Sequence, residues 1–226
     1  MSGSFFEDLA EFDPKFSAKI IFDVGANIGD VTGRLISNFP DSSIYAFEPG
    51  TGAYEVLEQK FGRSQRVRLH RIALDKRDGE GLFLDVGKQM GNHLVQAPIA
   101  NTPTVSVPIM SGDSFCAKHG IDYIDFLKID TEGYDLDVVA GFCSMLNEGR
   151  VKYVEVECTT NLDNRFHVHL ERFIHFMHPF NYRVFGIYDF ERKIYKTNQE
   201  LNGSWFCDAV FVREVDKPRV RKDGKN

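Results

Sequence analysis

The sequence predicts an α/β fold: a seven-stranded, mostly parallel sheet with one antiparallel strand and helices on both faces. Three observations lead to this prediction. Short apolar runs typical of buried strands alternate with segments of helical spacing, the first run ends in a glycine-containing turn, and the last two strands follow each other without a helix. At 226 residues the chain is long enough for one large domain with a full core.

The predicted elements follow one another in a regular order. We predict strands at residues 19–24, 43–47, 67–74, 124–130, 151–158, 182–188 and 205–212. We predict helices at residues 31–39, 51–61, from 113 or 114 to near 120, from near 135, and at 164–178. Residues 79–107 interrupt this order with an inserted hairpin and a long loop, 87–103, which we interpret as a substrate lid.

The chain divides into three parts. Residues 1–18 form a predicted N-terminal helical segment that packs on the sheet edge or covers the ligand. Residues 19–213 form the main domain, and residues 214–226 form a basic, flexible tail.

The composition limits the possible partners. A formal charge of −6 disfavours a nucleic-acid surface, which needs a basic footprint. No apolar run approaches the length of about 20 residues that a membrane span requires. The four cysteines lack C-x-x-C spacing and are expected to be core thiols in a reducing compartment. A cytoplasmic protein without a membrane span is therefore expected.

The first predicted strand ends in the loop D-x-G-x-N-x-G, from Asp23 to Gly29. A dinucleotide-binding loop, G-x-G-x-x-G, would need glycines at positions 25, 27 and 30, but Asn27 and Asp30 stand at the last two. The loop therefore suits a ligand that has no pyrophosphate, such as S-adenosylmethionine (SAM).

Two acidic positions support this interpretation. Glu48 lies 23 residues after Gly25, at the end of the second strand, where an acid can accept hydrogen bonds from both ribose hydroxyls and would repel a 2′-phosphate. Asp130 and Glu132 follow the fourth strand and should lie beside the glycine loop. Carboxylates there suit the sulfonium and ammonium charges of SAM.

Lys128 lies in a predicted central strand and must be paired if it is buried. Its expected partners are four acids: Asp23, Asp130, Glu155 and Glu157. A purely structural ion-pair network is the alternative interpretation of this group.

Three motifs resemble those of FkbM-family SAM-dependent methyltransferases. They are Asp23-Val-Gly-Ala-Asn-Ile-Gly29, Phe47-Glu-Pro49 and Leu127-Lys-Ile-Asp-Thr-Glu-Gly133. The resemblance covers residues 19–160 well, although Gly112 replaces the family's usual leucine. It implies a class I methyltransferase (Rossmann-like) fold, SAM as the cofactor, and O-methylation of a sugar, a glycan or another small hydroxylated metabolite.

The resemblance also implies site residues. The cofactor would be bound by the loop residues Asp23, Gly25, Ala26, Asn27 and Gly29, by Glu48 and Pro49 at the ribose, and by Asp130 near the methyl group. Glu157 resembles a glutamate that the family often has at the end of strand five.

Several residues are candidates for the catalytic base. His93 is a candidate because it lies in the irregular loop, and Asp130, Glu132 and Glu157 could serve instead. His167 and His169 are the next candidates among the histidines. No residue spacing predicts a metal site.

Two other functions remain as alternatives. An NAD-dependent oxidoreductase or epimerase is disfavoured by the missing glycine and by the absence of a Tyr-x-x-x-Lys proton relay. A catalytically silent SAM-binding domain is the other. The sequence does not identify the acceptor or the oligomeric state.

Overall fold

The computed structural model describes residues 4–85, 87, 92–98, 102–197 and 200–214. The strands are β1 (Ile20–Val24), β2 (Ser43–Phe47), β3 (Val67–His70), β4 (Ala73–Asp75), β5 (Gly79–Leu84), β6 (His93–Val95), β7 (Thr104–Ser111), β8 (Ile124–Ile129), β9 (Val151–Cys158), β10 (Tyr182–Thr197) and β11 (Glu200–Arg213). The α-helices are α1 (Phe5–Phe12), α2 (Asp30–Asn38), α3 (Thr51–Phe61), α4 (Gly112–His119), α5 (Asp135–Ala140), α6 (Cys143–Asn147) and α7 (Leu170–Met177). None of these described helices is long and apolar enough to cross a bilayer.

The central sheet has seven strands in the order β10-β11-β9-β8-β1-β2-β3. Strand β11 pairs antiparallel with both β9 and β10, whereas the pairs among β9, β8, β1, β2 and β3 are parallel. The predicted fold class, with one reversed strand, is confirmed.

Strand alternation directs apolar residues to both faces of this sheet. Phe22, Leu127 and Val154 belong to a core that includes residues of α4 to α7. Their sequence neighbours Ile21 and Phe126 belong to a second core with residues of α1, α2 and α3. The sheet therefore lies between two helical layers, and its carboxyl-terminal edge is left for a site.

Helix α1 begins with a capping box, in which the Ser4 hydroxyl accepts from the Glu7 amide and the Glu7 carboxylate accepts from the Ser4 amide. Its Phe5 ring stacks on Phe126 at 5.1 Å and meets Tyr153 edge-on at 5.8 Å. The helix therefore covers a face of the central sheet rather than its edge.

The insertion is larger than the predicted hairpin. Four strands form a second sheet in the order β4-β7-β5-β6, with its own small core that includes Phe83, Leu94 and Ile109. The single strand predicted at 67–74 is wrong, because the chain leaves the central sheet after His70 and β4 pairs with β7 instead.

Four other boundaries differ from the predictions. Ser111 caps α4, whereas the Asp113 carboxylate accepts the backbone amides of Ser144 and Met145 at the start of α6. The last helix begins at Leu170 rather than 164. Strand β10, expected to end at 188, extends to Thr197, and β11, expected to begin at 205, starts at Glu200. The two strands are longer than predicted because their antiparallel pairing satisfies the backbone hydrogen-bonding groups.

Parts of three predicted segments lie outside the described residues. These are 1–3 in the predicted N-terminal segment, 86, 88–91 and 99–101 in and beside the predicted lid, and 215–226 in the predicted tail. The lid and the flexible tail therefore stay predictions.

Candidate active site

The glycine loop rests on the ends of two strands. The amides of Gly25 and Ala26 both donate to the carbonyl of Phe47, at 3.0 and 2.9 Å. Gly25 has φ +79°, and a Cβ there would lie 1.8 Å from the carbonyl oxygen of Asp130. Only glycine fits this close approach, which holds the loop against the end of β8.

The second half of the loop presents an unsatisfied polar atom. Asn27 adopts φ +49°, and its side-chain oxygen Oδ1 is buried without a hydrogen-bond partner among the described residues. Gly29 has φ +87° and lies so close to Leu57 and Phe61 that a Cβ would approach them at 2.7 and 2.6 Å. The tight turn therefore leaves the Asn27 oxygen as an acceptor for a ligand.

Glu48 is 5% exposed, and both of its carboxylate oxygens accept backbone hydrogen bonds. The Asn27 amide donates to Oε2 at 2.9 Å and the Gly50 amide to Oε1 at 2.7 Å. Burial raises the pKa of Glu48 to about 7, although the two backbone donors oppose the rise. Each oxygen keeps a second lone pair, so the carboxylate can still accept from a diol.

Lys128 organises a buried ion-pair network. Its Nζ lies 3.0 Å from Asp130 Oδ2 and 3.9 Å from Asp23 Oδ1. Burial lowers the pKa of Lys128, but Asp130 and Asp23 more than compensate, so the net shift is upward. The Thr32 hydroxyl donates to Asp23 Oδ2 at 2.5 Å. Asp23 is fully buried and therefore supports the loop from beneath. Glu155 lies opposite Lys128 in the register of β9.

Asp135 was missed by the sequence analysis. Its Oδ2 accepts the amides of Thr131 and Gly133 at 3.4 and 3.3 Å and the Thr131 hydroxyl at 3.2 Å, and so stabilises a turn in which Glu132 has φ +55°. Burial and the charges of Asp130 and Glu157 raise the pKa of Asp135 to about 7. An acid two residues after a glycine was the available signal for a side-chain-capped turn.

A pocket opens where these elements meet, with the inserted sheet as its opposite wall. Its lining residues are Val24, Gly25, Asn27, Phe47, Glu48, Pro49, Ile72, Ala73, Leu74, Phe83, Asn92, His93, Leu94, Asp130, Thr131, Glu132 and Tyr134. Three acids line the pocket and no lysine or arginine does so among the described residues. The pocket is therefore acidic, apolar on its inserted wall, and poorly suited to a phosphate.

A second acidic group lies beside Glu132. The Nε2 atom of His167 lies 3.0 Å from Glu157 Oε2, and both side chains are largely buried. One ligand atom from each of Glu132, Glu157 and His167 lies within 4.8 Å of the others, which is a spacing that a metal ion could use. The sequence predicted no metal site because these three residues come from three separate segments.

His93 lies on β6 and lines the pocket. Its ring meets Phe166, from the loop before α7, edge-on at 5.6 Å. The structure thus brings together six of the predicted site residues as lining: Gly25, Asn27, Glu48, Pro49, Asp130 and His93. Four others, Asp23, Ala26, Gly29 and Glu157, lie behind or beside the lining.

A model of the methyltransferase FkbM domain matches residues 23–184, which is more than half of the chain. The chain belongs to this family. Membership confirms the resemblance predicted from the three motifs. It also confirms the predicted enzyme class of the family, methyltransferase, and with it SAM as the family's cofactor.

Two curated relatives are similar over part of their length. The chain is 27% identical to the 2-O-methyltransferase NoeI of Sinorhizobium fredii over 151 residues, which cover 60% of this chain and 62% of that protein. It is 25% identical to the hexuronic acid methyltransferase AglP of Haloferax volcanii over 146 residues, covering 64% of this chain and 57% of that protein. The chain thus spans about three fifths of the length of these relatives.

Solved structures confirm the fold. TrmK of M. capricolum in complex with S-adenosyl-homocysteine has a TM-score of 0.50 and 12% identity, covering 94% of this chain and 70% of that one. Sp1610 of Streptococcus pneumoniae has a TM-score of 0.50 and 11% identity, covering 96% of this chain and 72% of that one. At these identities the likeness concerns the class I methyltransferase fold alone.

The pocket fits the cofactor of the FkbM family. Asn27 offers the pocket a buried acceptor without a partner among the described residues. Glu48 presents a carboxylate to the pocket, and the acidic lining favours a cation.

Proposed function

We propose that this chain is a SAM-dependent O-methyltransferase that acts on a hydroxyl group of a sugar or glycan. The proposal rests mainly on the pocket beside the glycine loop, which is acidic and poorly suited to a phosphate. The names of the relatives NoeI and AglP, a 2-O-methyltransferase and a hexuronic acid methyltransferase, support a sugar acceptor. The chain's charge of −6 disfavours a nucleic-acid acceptor.

The cofactor would be held by the residues of the loop and of β2. When bound, SAM supplies a methyl group on a positively charged sulfur, which becomes a neutral thioether once the carbon–sulfur bond breaks. Glu48 would accept hydrogen bonds from the ribose hydroxyls, and Asn27 Oδ1 would accept one from the ammonium group. Asp130 and Glu132 would contribute negative potential near the sulfonium.

The acceptor hydroxyl must lose its proton as its oxygen bonds to the methyl carbon. Glu157 is the base that we favour. Asp130 is engaged by the charged ammonium group of Lys128 at 3.0 Å, whereas Glu157 lies next to the pocket acid Glu132 and pairs with His167, whose ring can donate a hydrogen bond even when it is neutral. His93 is the second candidate, since it lines the pocket.

Calorimetry and a transfer assay test the proposal. SAM and S-adenosylhomocysteine should bind the wild-type protein, Glu48→Gln should bind both more weakly, and Glu55→Gln on the exposed surface of α3 should bind normally. Methyl transfer from radiolabelled SAM should then occur to members of a panel of hexoses, uronic acids and oligosaccharides.

The outcomes separate the alternatives. Failure to bind SAM would contradict the proposal, and NAD binding without SAM binding would favour the oxidoreductase. SAM binding without transfer to any glycan would favour the silent domain.

A further inference from the structure

The loop between β9 and α7 fixes one histidine unusually firmly. His167 lies between the ring of Phe206, stacked at 5.1 Å, and the ring of Phe166, which is edge-on at 5.0 Å. Its side chain is only 12% exposed. Both ring nitrogens have a partner, Asn164 Nδ2 at Nδ1 (2.9 Å) and Glu157 Oε2 at Nε2 (3.0 Å).

The backbone determines which way the Asn164 amide points. Its Oδ1 accepts the amides of Phe166 at 2.9 Å and His167 at 3.0 Å, and these donors can face only an oxygen. The NH₂ group must therefore face His167, so Nδ1 of the imidazole accepts a hydrogen bond. In the neutral ring the proton then resides on Nε2, which donates to Glu157.

The loop that carries these residues is anchored to the sheet. The Thr159 amide donates to the Val168 carbonyl at 3.0 Å, and the Leu170 amide donates to the Thr159 carbonyl at 2.9 Å. The carbonyl of Phe166 lies so close to Gly133 that a Cβ there would be 2.4 Å away. The Asn164–His167 unit is thus held against both β9 and the turn that carries Glu132.

We propose that His167, with its tautomer set by Asn164, is the positioning residue for Glu157. Its Nε2–H occupies Oε2 of Glu157 and orients Oε1 toward the acceptor hydroxyl, whose proton Oε1 takes. This inference rests on the proposed function in assigning Glu157 as the base. The arrangement of Asn164, His167 and Glu157 is independent of that function.

The same contacts argue against a metal ion at Glu132, Glu157 and His167. A histidine that binds a metal through Nε2 needs its proton on Nδ1 and an acceptor facing that proton. Asn164 presents a donor there. The hydrogen-bonded pair is therefore favoured over a metal site.

Nitrogen-15 NMR of the labelled full chain tests the tautomer directly. At alkaline pH, His167 should show the Nε2–H form, and Asn164→Asp should move the proton toward Nδ1 because a carboxylate oxygen then faces that atom. An Nδ1–H form in the wild type, or displacement of the His167 signals by Mg²⁺ or Mn²⁺, would overturn the proposal. This readout needs no activity, so it remains informative if the proposed function fails.

Kinetics test the positioning role. His167→Phe should lower kcat about tenfold or more and leave the KM for SAM unchanged. His167→Gln should recover most of the loss, because its amide NH₂ can take the place of Nε2–H. His175→Phe, on the exposed side of α7, is the matched control and should match the wild type. Equal kcat values for His167→Phe and the wild type would also overturn the proposal.

Discussion

The two sides of the pocket are built in different ways. The proposed cofactor side, Asp23 to Gly29 with Glu48, comes from one β-α-β unit and is shaped mostly by backbone amides, carbonyls and positive φ angles. The proposed acceptor side combines side chains from four separate segments: His93 and Glu132 line the pocket, and Glu157 and His167 lie beside Glu132. Changes on the cofactor side should therefore alter SAM binding, whereas changes on the acceptor side should alter turnover.

The largest expected effect on the cofactor side comes from Gly25→Ala. The new Cβ would overlap the Asp130 carbonyl, and φ +79° would be strained. We expect a loss of about 2–4 kcal/mol in the free energy of unfolding and loss of SAM binding. Denaturant unfolding and calorimetry measure both. Gly120→Ala has a similar φ, +64°, but open space around the Cβ, so it should cost only about 1 kcal/mol. Equal losses in the two variants would show that the close approach to Asp130 is unimportant.

The largest expected effect on the acceptor side comes from Glu157→Gln. Removing the proposed base should lower kcat by about 10²- to 10⁴-fold and leave the SAM dissociation constant unchanged. His93→Gln should lower kcat less, because in our proposal His93 lines the pocket but does not take the proton of the acceptor hydroxyl. Steady-state kinetics with calorimetry distinguish these effects. A larger loss of kcat in the His93 variant would indicate that His93, on the inserted sheet, is the base.

A moderate effect is expected from Glu48→Gln. Losing a charged acceptor for the ribose should weaken SAM binding about tenfold or more. Because the pKa of Glu48 is about 7 without ligand, and ribose hydroxyls donate to the ionised form, wild-type affinity should rise with pH up to that value. Calorimetry across this range should give a flatter profile for the variant. Identical profiles would mean that Glu48 is not the titrating group.

The smallest expected effect concerns Asp135→Asn. The pKa of Asp135 is raised from 3.8 to about 7, so the native state holds this proton more tightly than the unfolded chain. Its contribution to stability is complete below pH 3.8 and is lost as the pH rises through about 7. The variant keeps an oxygen for the Thr131–Gly133 turn without the charge, and should be more stable by about 1 kcal/mol above that pH. Urea unfolding on both sides of this pH range tests the expectation, which an unchanged pH slope would contradict.

The sequence by itself determined the fold class and located the residues that we propose for the cofactor side. Periodicity located the seven strands, and the motif from Asp23 to Gly29 marked the loop. Glu48 and Asp130 could be placed beside it because parallel strands end at one edge of the sheet. Each of these features depends on a short stretch of sequence, so a local pattern of residues predicts it.

Only the tertiary structure decided the rest. The split of the strand at 67–74 depends on pairing between β4 and the distant β7. The grouping of Glu132, Glu157 and His167 depends on how three separate segments pack. Each of these results from contacts between residues far apart along the chain, and no local pattern of residues encodes such contacts.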